Sequence, residues 1–132
     1  MISAEQFKQE NTRLTHSDVC AAAEIDDTFL TQLAKAGFVN ADRSGLYCQD
    51  DVSIARTASQ LVGFGLDERH LKTLRATAQR YAGVITQVSG PLGHAKSSDA
   101  KARSEETARE LSALIVSLQA AFIKASLRGE FD

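Results

Sequence analysis

The sequence predicts a mainly α fold, in which a small helical module with a short β wing continues into two long helices that form a helical hairpin. Three observations predict it. Apolar residues recur at intervals of three and four along five segments, the signature of one-sided helices. Each segment opens on Ser, Thr or Asp and three close near a Gly, residue types that satisfy or release the loose backbone groups at helix ends. Aromatics make up only 6% of the chain and Trp is absent, so the core must rest on Leu, Val, Ile and Ala.

Residues 1–13 are polar and weakly patterned and read as a linker or frayed arm. Thr15 opens the first helix, with Asp18 three residues on in a variant of the capping box. Val19, Ala22 and Ala23 give it a short apolar face, about two turns long. Asp26 or Asp27 caps the second helix, whose apolar positions are Phe29, Leu30 and Leu33. Gly37 fits the left-handed position just beyond its end, and Phe38 and Val39 then enter the core. The stretch NADRSG, residues 40–45, is a polar turn between Phe38-Val39 and Leu46-Tyr47, a pattern that predicts a small β-hairpin. Asp50 or Asp51 caps the third helix, which carries Val52, Ile54, Ala55, Ala58, Leu61 and Val62 and ends at Gly65.

Asp67 caps the fourth helix. Its apolar residues, Leu71, Leu74, Ala78, Tyr81, Ile85 and Val88, alternate steps of three and four, a heptad-like seam. The Ser89–Gly93 stretch breaks the pattern, and residues 89–99 form a connector. The last helix starts near Ser98 or Asp99 and runs to about Leu127, with Gly129 as its terminator. Its seam is Ala108, Leu111, Ile115, Leu118, Phe122 and Ala125, widened by Leu114 and Ala121. The expected division is an arm over 1–13, a module over 14–74, and a hairpin and dimerisation arm over 75–132.

With 132 residues, 43% apolar and 24% charged, the chain has the balance of an ordinary soluble domain. The formal net charge is −2, against the positive excess usual in a nucleic-acid binder. Residues 1–50 carry 4 basic and 8 acidic side chains, whereas residues 51–89 carry 5 and 3, so positive charge gathers on the fourth helix. Cys20 and Cys48 form no CxxC pair and no disulfide framework. The N-terminus shows no apolar signal segment, and a reducing, cytoplasmic setting is the expectation. His16, His70 and His94 lie on separate elements and assemble no nucleophile–base pair, so no enzyme is expected. Two thiols without a third ligand do not make a metal site, and no cofactor is expected.

The order helix, turn, helix, wing, helix, Gly corner and further helix resembles the winged-helix module of MerR-family transcriptional regulators. The resemblance covers residues 14–74, through LTHSDVCAAAEI, DDTFLTQLAKAGFV and GLYCQDDVSIARTASQLVGFGLDERHLKTL. Gly37-Phe38-Val39, Tyr47, Asp50-Asp51-Val52 and Phe64-Gly65-Leu66 fill the places of the family pattern. The whole chain is similar to the C-terminal half of an actinobacterial subset, through LDERHLKTLRATAQR and EETARELSALIVSLQAAFIKASLR. There a conventional reader precedes a second, degenerate winged-helix-like region and a long last helix. The resemblance implies a regulator of gene expression that touches DNA through an N-terminal reader outside this chain. This segment would then dimerise, sense an effector, or both. The chain departs from the pattern where recognition-helix arginines are usual. Asp26, Asp27, Thr28, Thr31, Gln32 and Lys35 stand there, and Leu46 replaces an Arg before the wing's Tyr.

Four candidate sites follow. The dimer interface is expected at Leu111, Leu114, Ile115, Leu118 and Phe122, a stripe that could otherwise pack on the fourth helix or close a pocket against residues 46–64. If the module itself touches DNA, the contacts are Thr28, Thr31, Lys35 and Arg43. A basic face at Arg69, Lys72 and Arg80, with Arg56 and Arg75 nearby in sequence, could meet a protein partner or simply be solvated. Phe64, Tyr81 and Phe122 could line an effector pocket or be ordinary core.

Overall fold

A computed structural model describes residues 13–131. The arm expected over 1–13 therefore lies, Arg13 apart, outside the described residues. The chain divides into two units, residues 1–72 and residues 73–132.

The first unit is built on α1 (His16–Ala23), α2 (Asp27–Lys35) and α3 (Gln49–Gly63), with the opening turn of α4 (Glu68–Ser89). Thr15 caps α1 through a reciprocal box. The Asp18 N–H donates to Thr15 Oγ1, and the Thr15 N–H donates to Asp18 Oδ2, both at 3.0 Å. Asp26 is the N-cap of α2 and accepts the Phe29 N–H at 2.7 Å. Between these helices Glu24 takes the left-handed conformation (φ 58°), where a side chain is strained. The Arg56 guanidinium on α3 donates to the Ala22 carbonyl, covering one loose group at the end of α1.

Two glycines close helices in the same way. Gly37 (φ 80°) follows α2, where the Phe38 N–H reaches the Leu33 carbonyl at 2.9 Å. Gly65 (φ 104°) follows α3, where the Leu66 N–H reaches the Leu61 carbonyl at 3.2 Å. Both are Schellman closures, which reverse the chain and return an apolar residue to the core. Val19, Leu30, Val39 and Val52 are its largest fully buried side chains, and Leu33, Tyr47, Ala55, Ala58 and Leu71 complete its centre.

The β wing is not formed. No strand occurs among the described residues, and Phe38-Val39 does not pair with Leu46-Tyr47. Tyr47 instead makes an isolated antiparallel bridge with Leu14, ahead of α1, with N–H···O distances of 2.8 and 2.7 Å. Val39 is committed to the core, and the Asn40 N–H turns to the Asp51 carboxylate at 3.4 Å. Residues 42–46 close on themselves: Asp42 Oδ1 accepts from the Ser44 N–H at 2.8 Å and the Leu46 N–H at 3.0 Å. Side-chain acceptors have taken the donors that a hairpin ladder needs.

Asp51 also revises the start of α3. The N-cap is Cys48, and Asp51, three residues into the box, accepts the Cys48 N–H at 3.1 Å. At the start of α4, Asp67 Oδ1 accepts the His70 N–H and His70 Nδ1 accepts the Asp67 N–H, each at 3.1 Å. A histidine thus fills the place that Glu or Gln usually takes in such a box.

The second unit contains the rest of α4, a 3₁₀ turn at Gly90–Gly93 and α5 (Ser98–Phe131). The turn brings α5 back to the end of α4, where Ser104 Oγ donates to the Ser89 carbonyl at 2.7 Å. Ser89 and Ala100 are buried at this corner. The less exposed positions include Tyr81, Ile85 and Ser89 on α4 and Ala100, Ser104, Ala108, Leu111, Ile115 and Gln119 on α5. Steps of three and four make each set one stripe. The expected α4 seam is therefore rotated, since Leu74 and Val88 are exposed. Gly129 does not end α5, which continues through it to Phe131.

Candidate functional site

Three surfaces could carry function: the outward face of α2, a groove in the first unit, and the apolar flank of α5. On α2, Thr28, Gln32 and Lys35 are exposed, and Arg43 is exposed on the 42–46 loop. Thr31 is exposed too, but its hydroxyl donates to the Asp27 carbonyl at 2.9 Å and is spent inside the helix. The N-terminus of α2 is closed by its own acids. Asp26 takes the Phe29 N–H, and Asp27 Oδ1 lies 2.6 Å from His16 Nε2 on α1. A helix N-terminus attracts phosphate through free N–H groups and its dipole, and here carboxylates occupy that position.

The acids also set the character of Cys20, whose Sγ lies 3.7 Å from the Asp26 carbonyl. Burial pushes this thiol's pKa up, and the charges of Asp27 and Asp26 add to the effect, so it stays protonated and weakly nucleophilic. Cys48 donates its thiol to Asp51 Oδ2 at 3.4 Å. No group of three or more metal-ligating side chains exists among the described residues.

The groove has a volume of about 750 Å³. Its apolar lining is Phe29, Leu33 and Phe38 from the α2 end, with Val62, Leu66 and Leu71 from the α3–α4 corner. Lys35, Asp67, Glu68 and Lys72 also border it. Lys72 Nζ lies 3.9 Å from Glu68 Oε2, so two of these charges offset each other. Hydrogen bonding from the His70 N–H holds the Asp67 carboxyl below the usual carboxylate range. The sequence did not single out this groove, because its apolar lining residues read as ordinary core, each in its own segment.

The aromatics expected at an effector pocket fall in both units. Phe64 stands at the α3–α4 corner, 89% exposed and outside the lining of the groove. Tyr81 is half-buried on α4 and Phe122 is exposed on α5, both in the second unit. Of the basic side chains, Arg69 and Lys72 belong to the first unit. Arg80, in the second, donates to Thr77 Oγ1 at 3.3 Å.

The expected dimer residues split into two sets. Leu111 and Ile115 are half-buried, within the stripe α5 shares with Ser104 and Ala108, whereas Leu114, Leu118 and Phe122 are exposed. Val116, Ile123 and Leu127 are exposed as well, on another side of the helix. Their steps of seven and four were visible in the sequence beside the stronger seam.

A family model described as "Rv1828-like, C-terminal domain" matches residues 12–131. The chain is 34% identical over 116 residues to the uncharacterized HTH-type transcriptional regulator Rv1828 of Mycobacterium tuberculosis. It is equally similar to the uncharacterized HTH-type transcriptional regulator Mb1859 of Mycobacterium bovis. Each match covers 88% of this chain and 47% of the relative, so the chain spans about half the length of the curated relatives it matches. Residues 12–131 and these two regulators agree on one assignment: the chain belongs to the Rv1828-like C-terminal domain family.

Proposed function

We propose that this chain is the dimerising, regulatory region of a MerR-type transcription regulator, a cytoplasmic, non-enzymatic unit that sets the spacing of two DNA readers. The regulatory role has support from relatives named as HTH-type transcriptional regulators. The MerR assignment rests on the order of motifs over residues 14–74. The placement of DNA reading elsewhere rests on α2, whose N-terminal donors are taken by Asp26 and whose Thr31 hydroxyl is engaged within the helix. The groove beside Phe29 and Leu71 offers a place for an effector, since about 750 Å³ lies in the ordinary range of ligand sites.

The observation that carries dimerisation is the exposure of Leu114, Leu118 and Phe122 along one flank of α5. A two-fold pairing of identical flanks is the commonest way to cover such a surface. Two readers fixed at one separation would then select half-sites at a matching separation. Leu118→Glu with Phe122→Glu places carboxylates in that contact, where an unpaired charge is costly. Light scattering should report a dimer for the parent chain and a monomer for this variant. A variant with the parent's dimeric mass refutes the reading.

A further inference from the structure

The far end of α5 is apolar on two sides and packed on neither. From Ala120 to Phe131 every residue is exposed, so the half-buried stripe of α5 ends at Gln119 and the last three turns overhang it. Leu118 and Phe122 lie on one side of the helix. Val116, Ile123 and Leu127 lie roughly 100–180° around it, at 3.6 residues per turn. A helix that is apolar around most of its circumference is normally enclosed. A free segment of this length is only marginally helical in water.

We infer that a second copy of this chain encloses the α5 overhang on both sides, so that Val116, Ile123 and Leu127 belong to the dimer contact along with Leu114, Leu118 and Phe122. This deepens the dimer reading and rests on it. Area decides between one flank and two. The six side chains are between 46% and 68% exposed. Each offers roughly 100 Å² of apolar surface to a partner. Three of them give roughly 300 Å² per copy, the scale of a crystal-packing contact. Six give roughly 600 Å² per copy, the lower edge of a standard stable interface. The exposed Ala120, Ala121 and Ala125 let a partner helix approach closely along the same turns. The only charges between Ala120 and Leu127 come from Lys124, so little desolvation opposes the enclosure.

The test is Ile123→Lys with Leu127→Lys in the 132-residue chain, followed by light scattering over a concentration series. We expect a dissociation constant at least tenfold above the parent's, with helix content unchanged by circular dichroism. Ile123→Ala with Leu127→Ala, which keeps helix propensity, should weaken the dimer in the same direction if the lysine variant fails to fold. Dimers of parental affinity in either pair overturn the inference. If Leu118→Glu with Phe122→Glu gives monomers in that case, the simpler one-flank dimer survives. A parent chain that is monomeric and sediments with phosphatidylcholine vesicles overturns both.

Discussion

Replacing Asp51 with Ala tests why this chain has a side-chain-pinned loop in place of a β wing. Asp51 is buried, and its carboxylate accepts the Cys48 N–H at 3.1 Å, the Asn40 N–H at 3.4 Å and the Cys48 thiol at 3.4 Å. It lies in the first turn of α3, where the helix dipole favours negative charge. Hydrogen bonds to an ionised acceptor contribute about 1.5–3 kcal/mol. The Cys48 bond should fall in that range, because Cys48 is half-buried and its N–H cannot be fully rehydrated. The Asn40 bond is long and Asn40 is exposed, so water replaces it at little cost. Asp51→Ala should therefore destabilise the chain by about 2–3 kcal/mol. Urea unfolding reads this as a midpoint shift of roughly 1–2 M. Asp50→Ala is the comparison, since Asp50 shares the first turn but is exposed, and its loss should cost under about 1 kcal/mol. Equal midpoints for the two variants would refute the assignment of Asp51 as the tie between loop and helix.

Two other predictions concern the first unit. Glu24→Gly should raise stability by up to about 1 kcal/mol, because a left-handed non-glycine residue costs about 1–2 kcal/mol and glycine returns part of that gain as unfolded-chain entropy. A lower urea midpoint for this variant would contradict it. Acid should destabilise the chain through Asp18, Asp42 and Asp67, whose carboxyls are held below their ordinary pKa by backbone N–H donors from Thr15, Leu46 and His70. A depressed folded-state pKa means that the unfolded chain binds more protons in acid. This contribution is complete above about pH 5 and is lost as pH falls through the folded values. Urea midpoints at pH 7 and pH 3 should differ by less in Asp42→Asn than in the parent, and an unchanged difference would count against the assignment.

The parts of the fold legible in the sequence were those set by one residue and its near neighbours. Thr15 with Asp18, the cap at Asp26, and the left-handed glycines Gly37 and Gly65 depend on spacings of three to five residues, and all are present. The β wing failed because its fate was decided at a distance. Tyr47 has a partner in Leu14, thirty-three positions earlier, and Asn40 has one in Asp51. Cys48 as an N-cap was not legible, since cysteine is not a favoured cap, and it serves there because Asp51 supplies the acceptor. The second flank of α5 was hidden by the rule that reads one stripe per helix. Ile123 and Leu127 sit beside a longer Leu111–Ala125 seam, and only their exposure marks them as a separate surface.

The chemistry of α2 favours the proposed placement of function on α5 and in the groove. A helix that reads DNA must keep its N-terminal donors and exposed hydroxyls available to phosphates and base edges. Here the same residues build the corner. Asp26 must accept the Phe29 N–H to start α2 so soon after α1, and Asp27 Oδ1 lies 2.6 Å from His16 Nε2 at the start of α1. Thr31 completes its own hydrogen bonding on the Asp27 carbonyl. The two carboxylates make the tip less attractive to an anion. Lys35 and Arg43 remain exposed, but two cations on separate elements can neutralise only about two phosphates, which gives a weak attraction. The apolar flanks of α5 have the opposite character. Their side chains satisfy nothing within the second unit and gain free energy only when another surface covers them. A helix pair closed on its own acids, beside a long helix with uncovered apolar flanks, is the arrangement expected of the proposed spacer between readers.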